Sequence, residues 1–168
     1  MFVKSISIDG TRRYNDPSMQ EKKILIADYD KAALGSLQEF FQSKGFEVLT
    51  ATDGQAAYTL YKEEAMDLII IEAMLPKLHG FDLTSMIYEE TKGAIPIIIV
   101  TNLYKGAQYR NEALRSFGAS EYFEKPLDNE KLLQAVKKLI QQDRDITDDL
   151  PSHKEVFAAL EQELKKGG

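Results

Sequence analysis

The chain has 168 residues, 43% of them hydrophobic and 29% charged; this is the mix of a protein with its own core rather than of a disordered chain or a coiled coil. At roughly 100–200 residues per domain, the length reads as one domain with a short appendage. Twenty-one basic against twenty-seven acidic residues leave a formal charge of −6, which opposes attraction to nucleic acid or an anionic membrane, and no apolar run approaches the roughly 20 residues that cross a bilayer.

In chain order, residues 1–22 hold an alternating Phe2, Lys4, Ile6, Ile8 stretch ahead of Asp9-Gly10. It reads as a flexible leader or as a short extra strand. The opening MFVKSISIDG lacks the apolar core of a secretion signal, and no cysteine is present, so a cytoplasmic location is the expectation. From residue 23, short branched apolar runs alternate with stretches of helical period, the pattern of strand-helix units on a parallel sheet. The predicted strands are Lys23 to Asp28, Phe46 to Thr50, Asp67 to Glu72, Pro96 to Thr101 and Glu121 to Phe123. The third and fourth are continuous apolar runs, as in strands covered on both faces.

Between them, apolar residues recur at helical spacing: Leu34, Leu37, Phe41; Ala57, Leu60, Tyr61; Leu83, Met86, Ile87; Tyr109, Ala113, Leu114, Phe117. Each stripe reads as core. A fifth helix is predicted from the cap Asp128 through Leu132, Leu133, Val136, Leu139 and Ile140. The domain therefore spans 23–142. Residues 143–168 divide into an acidic connector and an amphipathic sixth helix, with Ser152 and Glu155 as a capping box ahead of Val156, Phe157, Leu160 and Leu164. That helix either folds back on the body or contacts a partner.

In open parallel sheets, ligands sit beyond the carboxyl ends of the strands. There the chain carries Asp28, Tyr29 and Asp30 after the first strand, Glu72 at the end of the third, Thr101-Asn102 at the fourth and Lys125-Pro126 after the fifth. Converging carboxylates with one ammonium suit a hard cation beside an anionic group. Carried on past the strand, parity puts Asp28 and Asp30 on one side and Tyr29 on the other; Asp30 is then either a second ligand or a cap of the following helix.

The order ILIADYD, EAMLPKLHG, IIIVTN, EYFEKPL resembles that of the receiver domains of bacterial two-component response regulators, over roughly residues 22–142. The resemblance implies a flavodoxin-like (βα)5 three-layer sandwich, its parallel sheet in order 2-1-3-4-5. It implies an aspartate that takes a phosphoryl group from a histidine kinase and a magnesium ion beside the first-strand acids, of which Asp28 matches the first. It further implies that Thr101 and Lys125 contact the phosphoryl oxygens, that Thr101 and Tyr122 form the switch, and that the peptide before Pro126 is cis.

Two positions depart from the pattern: Glu72 stands where the phosphoacceptor aspartate belongs, and Tyr29 replaces an acid that binds the metal. The extra methylene moves the carboxylate by about 1.5 Å, and a misplacement of about 1 Å can cost 100-fold when attack geometry is fixed. The expectation is a pseudo-receiver without enzymatic activity, binding a histidine kinase or another signalling protein, or pairing as a homodimer. Its contact surfaces would be the fourth helix, fifth strand and fifth helix, where Tyr104, Tyr109, Arg110, Tyr122 and Lys125 are candidates, or the C-terminal helix. Glu72 either mimics a phosphoryl group toward Thr101 and Lys125 or pairs with Lys125 in a retired pocket.

Three rivals are weighed. A haloacid-dehalogenase-type phosphatase would use Asp28 as nucleophile and Asp30 as acid, but it needs an acidic motif on a strand beyond the lysine, where PLDNEKLLQAV stands. A flavin or nucleotide binder needs a glycine- or hydroxyl-rich phosphate loop where Asp28 and Asp30 repel phosphate. A receiver phosphorylated on glutamate is the third. His79 and His153 lack a second ligand at metal spacing and read as surface residues. With about 26 residues after 142, no DNA-binding output domain is expected in this chain.

Overall fold

The computed structural model describes residues 22–148 and 153–166, without the side chains of 143–157. Five strands and six helices follow one another: β1 Lys23–Ala27, α1 Lys31–Ser43, β2 Glu47–Ala51, α2 Gly54–Glu63, β3 Leu68–Glu72, α3 Gly80–Thr91, β4 Ile97–Thr101, α4 Ala107–Arg115, β5 Glu121–Glu124, α5 Asn129–Asp148 and α6 His153–Lys166. The strands form one parallel sheet in the order β2-β1-β3-β4-β5. This is the flavodoxin-like three-layer arrangement, with a further helix at the C-terminal end.

Strand alternation sends side chains to two cores. Ile24, Ile26, Leu68, Ile70, Ile98 and Val100 meet Leu34, Leu37 and Phe41 of α1 and Leu132, Val136 and Ile140 of α5. Leu25, Ala27, Ile69, Ile71 and Ile97 meet Ala57 of α2 and Leu83 and Ile87 of α3. A third cluster gathers Ile99, Ala113 and Tyr122 under α4. All five positions of β3 and of β4 are buried, and each Ile or Leu so buried stabilises the fold by roughly 1.5–3 kcal/mol.

Side-chain caps start α2 and α5. Asp53 accepts from the amide of Ala56 at 2.7 Å, and Asp128 from Glu130 and Lys131 at 3.1 and 3.2 Å. At the end of the domain the prediction needs correction: α5 runs to Asp148, so the first six residues assigned to the acidic connector are helical. No glycine or proline interrupts the chain until Pro151, and proline disfavours helix at the residue before it. Leu160 and Leu164 of α6 stand 55% and 79% exposed. The leader, the Ser152 cap and the side chains of His153 and Glu155 lie outside the described residues. No described helix is long and apolar enough to cross a membrane.

Candidate functional site

A parallel sheet brings all its strand ends to one edge. Asp28 is the first residue past β1, Glu72 the last of β3, Thr101 the last of β4 and Lys125 the first past β5. Both carboxylates are 1% exposed. The Lys125 ammonium donates to Asp28 Oδ2 at 2.6 Å and stands 2.8 Å from Glu72 Oε2. The second contact is an ion pair without hydrogen-bond alignment, so Oε2 has no hydrogen-bond donor. Glu72 Oε1 accepts from the Met74 amide at 3.3 Å, and Asp28 Oδ1 from the Asp30 amide at 2.9 Å. Burial opposes the charge on Lys125, but its bonds to Asp28 and Glu72 outweigh burial and raise its pKa above the ordinary 10.5. Two carboxylates and one ammonium leave the pocket a formal −1.

Two backbone features shape this edge. A Cβ on Gly80 would lie 2.3 Å from the carbonyl oxygen of Glu72, so glycine lets the start of α3 close against the end of β3. The Lys125-Pro126 peptide is cis, and the Lys125 amide donates to the Thr101 carbonyl at 2.7 Å.

Of the two readings of Asp30, the structure holds the cap. Asp30 accepts from the amides of Ala32 and Ala33 at 2.9 and 3.2 Å and is exposed, so it caps α1 and does not join Asp28. Strand parity ends at Ala27, where the chain turns into the helix. Tyr29 is 48% exposed. Thr101 is buried, and its hydroxyl oxygen accepts from the amides of Leu103 and Tyr104 at 3.2 and 3.1 Å.

Tyr122 is no surface candidate. It is 3% exposed, because its position on β5 faces α4 rather than solvent, and its hydroxyl donates to the Tyr104 carbonyl. Burial, then the charges of Glu124 and Glu72, push its pKa up to about 12. Arg110 Nη1 donates to the Tyr122 carbonyl at 2.8 Å, and Arg110 pairs with Glu121 at 3.4 Å. Arg110 remains exposed, while Tyr104, Tyr109 and Lys125 are half-buried.

Nor is His79 an ordinary surface residue. It caps α3, its Nδ1 accepting from the Phe81 amide at 3.3 Å, and its ring lies 5.3 Å from Phe81 and 5.9 Å from Tyr104. Tyr104 is the hub of this cluster, 5.4 Å from Phe81 and 5.2 Å from Tyr109, with its hydroxyl 3.4 Å from Met74 Sδ. Sequence reasoning gave His79 no such role; counting back one turn from Leu83 would have marked it as a cap position.

The residues present do not fit magnesium, which asks for near-octahedral oxygen coordination. Asp28 and Glu72 already face an ammonium, and the third donor position holds an outward tyrosine. Among the described residues, no three His, Cys, Asp or Glu side chains group closely enough to hold a metal.

The response regulator receiver domain model matches residues 24–137. The chain belongs to the response-regulator receiver family. Similar relatives include the transcriptional regulatory protein CrdR of Helicobacter pylori, 28% identical over 73% of this chain and 57% of that protein. The alkaline phosphatase synthesis transcriptional regulatory protein PhoP of Bacillus subtilis is 30% identical over 71% and 48%. The chain thus spans about half the length of the curated relatives it matches. Among solved structures, the receiver domain of the Francisella response regulator 1452 is 29% identical with a TM-score of 0.68, covering 73% of this chain and 98% of that one. This receiver domain is therefore that of a two-component response regulator.

Proposed function

We propose that this receiver works without phosphoryl transfer, as a protein-interaction module of two-component signalling rather than as an enzyme. The observation that carries the reading is Lys125 bridging Asp28 and Glu72 at 2.6 and 2.8 Å. A lysine ammonium holds the place between the acids, and Glu72 provides a fixed negative group in a buried pocket. The outward Tyr29 supplies no carboxylate to draw in a metal. The switch elements are already bonded to each other: Tyr122 to the Tyr104 carbonyl, and the Tyr104 amide to Thr101. Partners, a histidine kinase or another signalling protein, would read the surface of α4, β5 and α5, where Arg110 is exposed beside Tyr109, in the cytoplasm.

The deciding experiment supplies magnesium with a small phosphodonor or beryllium fluoride and follows Thr101 and Tyr122 by NMR. No labelling and no shifts are expected. Stoichiometric labelling would instead identify a receiver phosphorylated on glutamate. The mimic role of Glu72 is read from Glu72→Ala and Glu72→Asp; if both leave partner binding and the Tyr122 signals unchanged, Glu72 only fills the pocket.

A further inference from the structure

His79 belongs to a chain of hydrogen bonds that can run in only one direction. The Phe81 amide donates to Nδ1 of its ring at 3.3 Å, so Nδ1 carries no proton and the neutral ring holds its one proton on Nε2. Nε2 stands 3.5 Å from the Tyr104 hydroxyl. That hydroxyl donates its own proton to Met74 Sδ at 3.4 Å, which leaves its oxygen to accept from Nε2–H. Both ends of the chain therefore require the same tautomer.

Tyr104 ties this ring to the switch. Its amide donates to the Thr101 hydroxyl oxygen at 3.1 Å, and its carbonyl accepts from Tyr122. Its ring lies 5.4 Å from Phe81 and 5.2 Å from Tyr109. One residue thus answers to Thr101 and Tyr122 through its backbone and to His79 through its side chain.

A second proton has no place in this arrangement. It would sit on Nδ1, setting one N–H against the Phe81 N–H with no acceptor between them. It would also put a positive charge at the amino end of α3, where the helix dipole is already positive. The half-buried ring relieves both conflicts by swinging away from Phe81, and its contact with Tyr104 goes with it. The ionisable groups around this corner are the phenols of Tyr104 and Tyr109, Asp82 in the first turn of α3, Lys77 paired with Asp53 at 3.4 Å, and Asp28, Glu72 and Lys125 in the pocket. Carboxylates ordinarily change charge below about pH 5, and lysines and phenols above about pH 8, so histidine is the group that acts between them.

We infer that His79 is an acid-sensing latch on the loop between β4 and α4: a second proton on its ring uncaps α3, frees the Tyr104 side chain and loosens the bonds that join Thr101, Tyr104 and Tyr122. The latch needs no phosphodonor, so it stands or falls separately from the reading above.

NMR of the intact chain, titrated from about pH 8 to 5 without a phosphodonor, tests this beside His79→Asn, His79→Ala and His153→Asn. At the upper end the His79 ring is expected as the Nε2–H tautomer. On acidification the amide signals of Phe81, Leu103 and Tyr104 should shift with the same midpoint as the His79 ring. Asparagine keeps a capping oxygen but does not titrate, so His79→Asn should hold the neutral signals throughout. His79→Ala should show the acid positions at every pH, and His153→Asn should behave as the intact chain. Three outcomes overturn the inference: an Nδ1–H ring at the upper end, a His79 ring that titrates while the loop amides stay in place, or a loop response that survives His79→Asn. If circular dichroism shows His79→Asn unfolded, the presence or absence of the shared midpoint in the intact chain decides alone.

Discussion

Replacing Lys125 by methionine removes the only cation that touches Asp28 or Glu72 among the described residues, and keeps the aliphatic stem. At 2.6 and 2.8 Å and an effective dielectric of about 20, each attraction amounts to roughly 6 kcal/mol before the desolvation that opposes it. Removing one partner from a buried charge cluster typically destabilises by about 3–5 kcal/mol, because the remaining charge stays uncompensated. Here two carboxylates, each 1% exposed, would be left at a formal −2. Lys125→Met should therefore cost about 3–5 kcal/mol at pH 7, read from urea midpoints by circular dichroism. Glu72→Gln in that background should restore about 1–2 kcal/mol by lowering the repulsion, whereas Glu72→Gln alone should change stability by less than about 1 kcal/mol. A loss below about 1 kcal/mol for Lys125→Met, or no rescue by the second change, would refute the assignment of Lys125 as the cation that balances the pocket. The pH dependence follows from the raised pKa of Lys125: its contribution is fully present below 10.5 and fades as pH climbs through the higher folded value. The gap between the intact protein and Lys125→Met should hold from neutral pH to about 10 and narrow above that.

Other outcomes are open to direct measurement. In an alkaline titration followed at the tyrosinate absorbance band, Tyr122 should be among the last of the eight tyrosines to ionise, near 12; a Tyr122→Phe difference titration with a midpoint near 10 would contradict its burial. Since the raised value favours the neutral phenol, this stabilisation is whole below about pH 10 and lost as pH rises toward 12. Tyr122→Phe should also leave the Tyr104 carbonyl without its donor, costing about 1–2 kcal/mol and speeding hydrogen exchange in the loop after β4. Gly80→Ala should destabilise by about 2–3 kcal/mol, because its Cβ would meet backbone, the Glu72 carbonyl, at 2.3 Å; a neutral midpoint shift would show that the end of β3 yields freely. Glu72→Asp combined with Tyr29→Asp should gain magnesium-dependent labelling from a small phosphodonor, while Glu72→Asp alone should not.

The sheet was legible because β3 and β4 are uninterrupted apolar runs, and the strand ends then placed Asp28, Glu72, Thr101 and Lys125 together. What parity could not decide was Asp30, since the alternation holds only while the chain stays extended, and the turn into α1 begins right after Ala27. Tyr122 was named as a switch yet counted as surface; its burial depends on α4 packing over β5, a contact between elements that no local pattern encodes. The Tyr104 hub was hidden for the same reason: its ring meets His79 and Phe81, at the start of the helix one strand-helix unit earlier. The six extra residues of α5 carry no apolar stripe to announce them, and only the absence of a breaker before Pro151 permits them.

The bonds joining Thr101, Tyr104 and Tyr122 bear on timing. In a relay that is charged and discharged, a message lasts as long as the labile bond that carries it. On the reading that no such bond forms here, a loop held by two amides and one phenol has no clock of its own. Its message would then last as long as the molecule does, set by how fast the cell makes and destroys it, so copy number rather than chemical modification becomes the variable a partner reads.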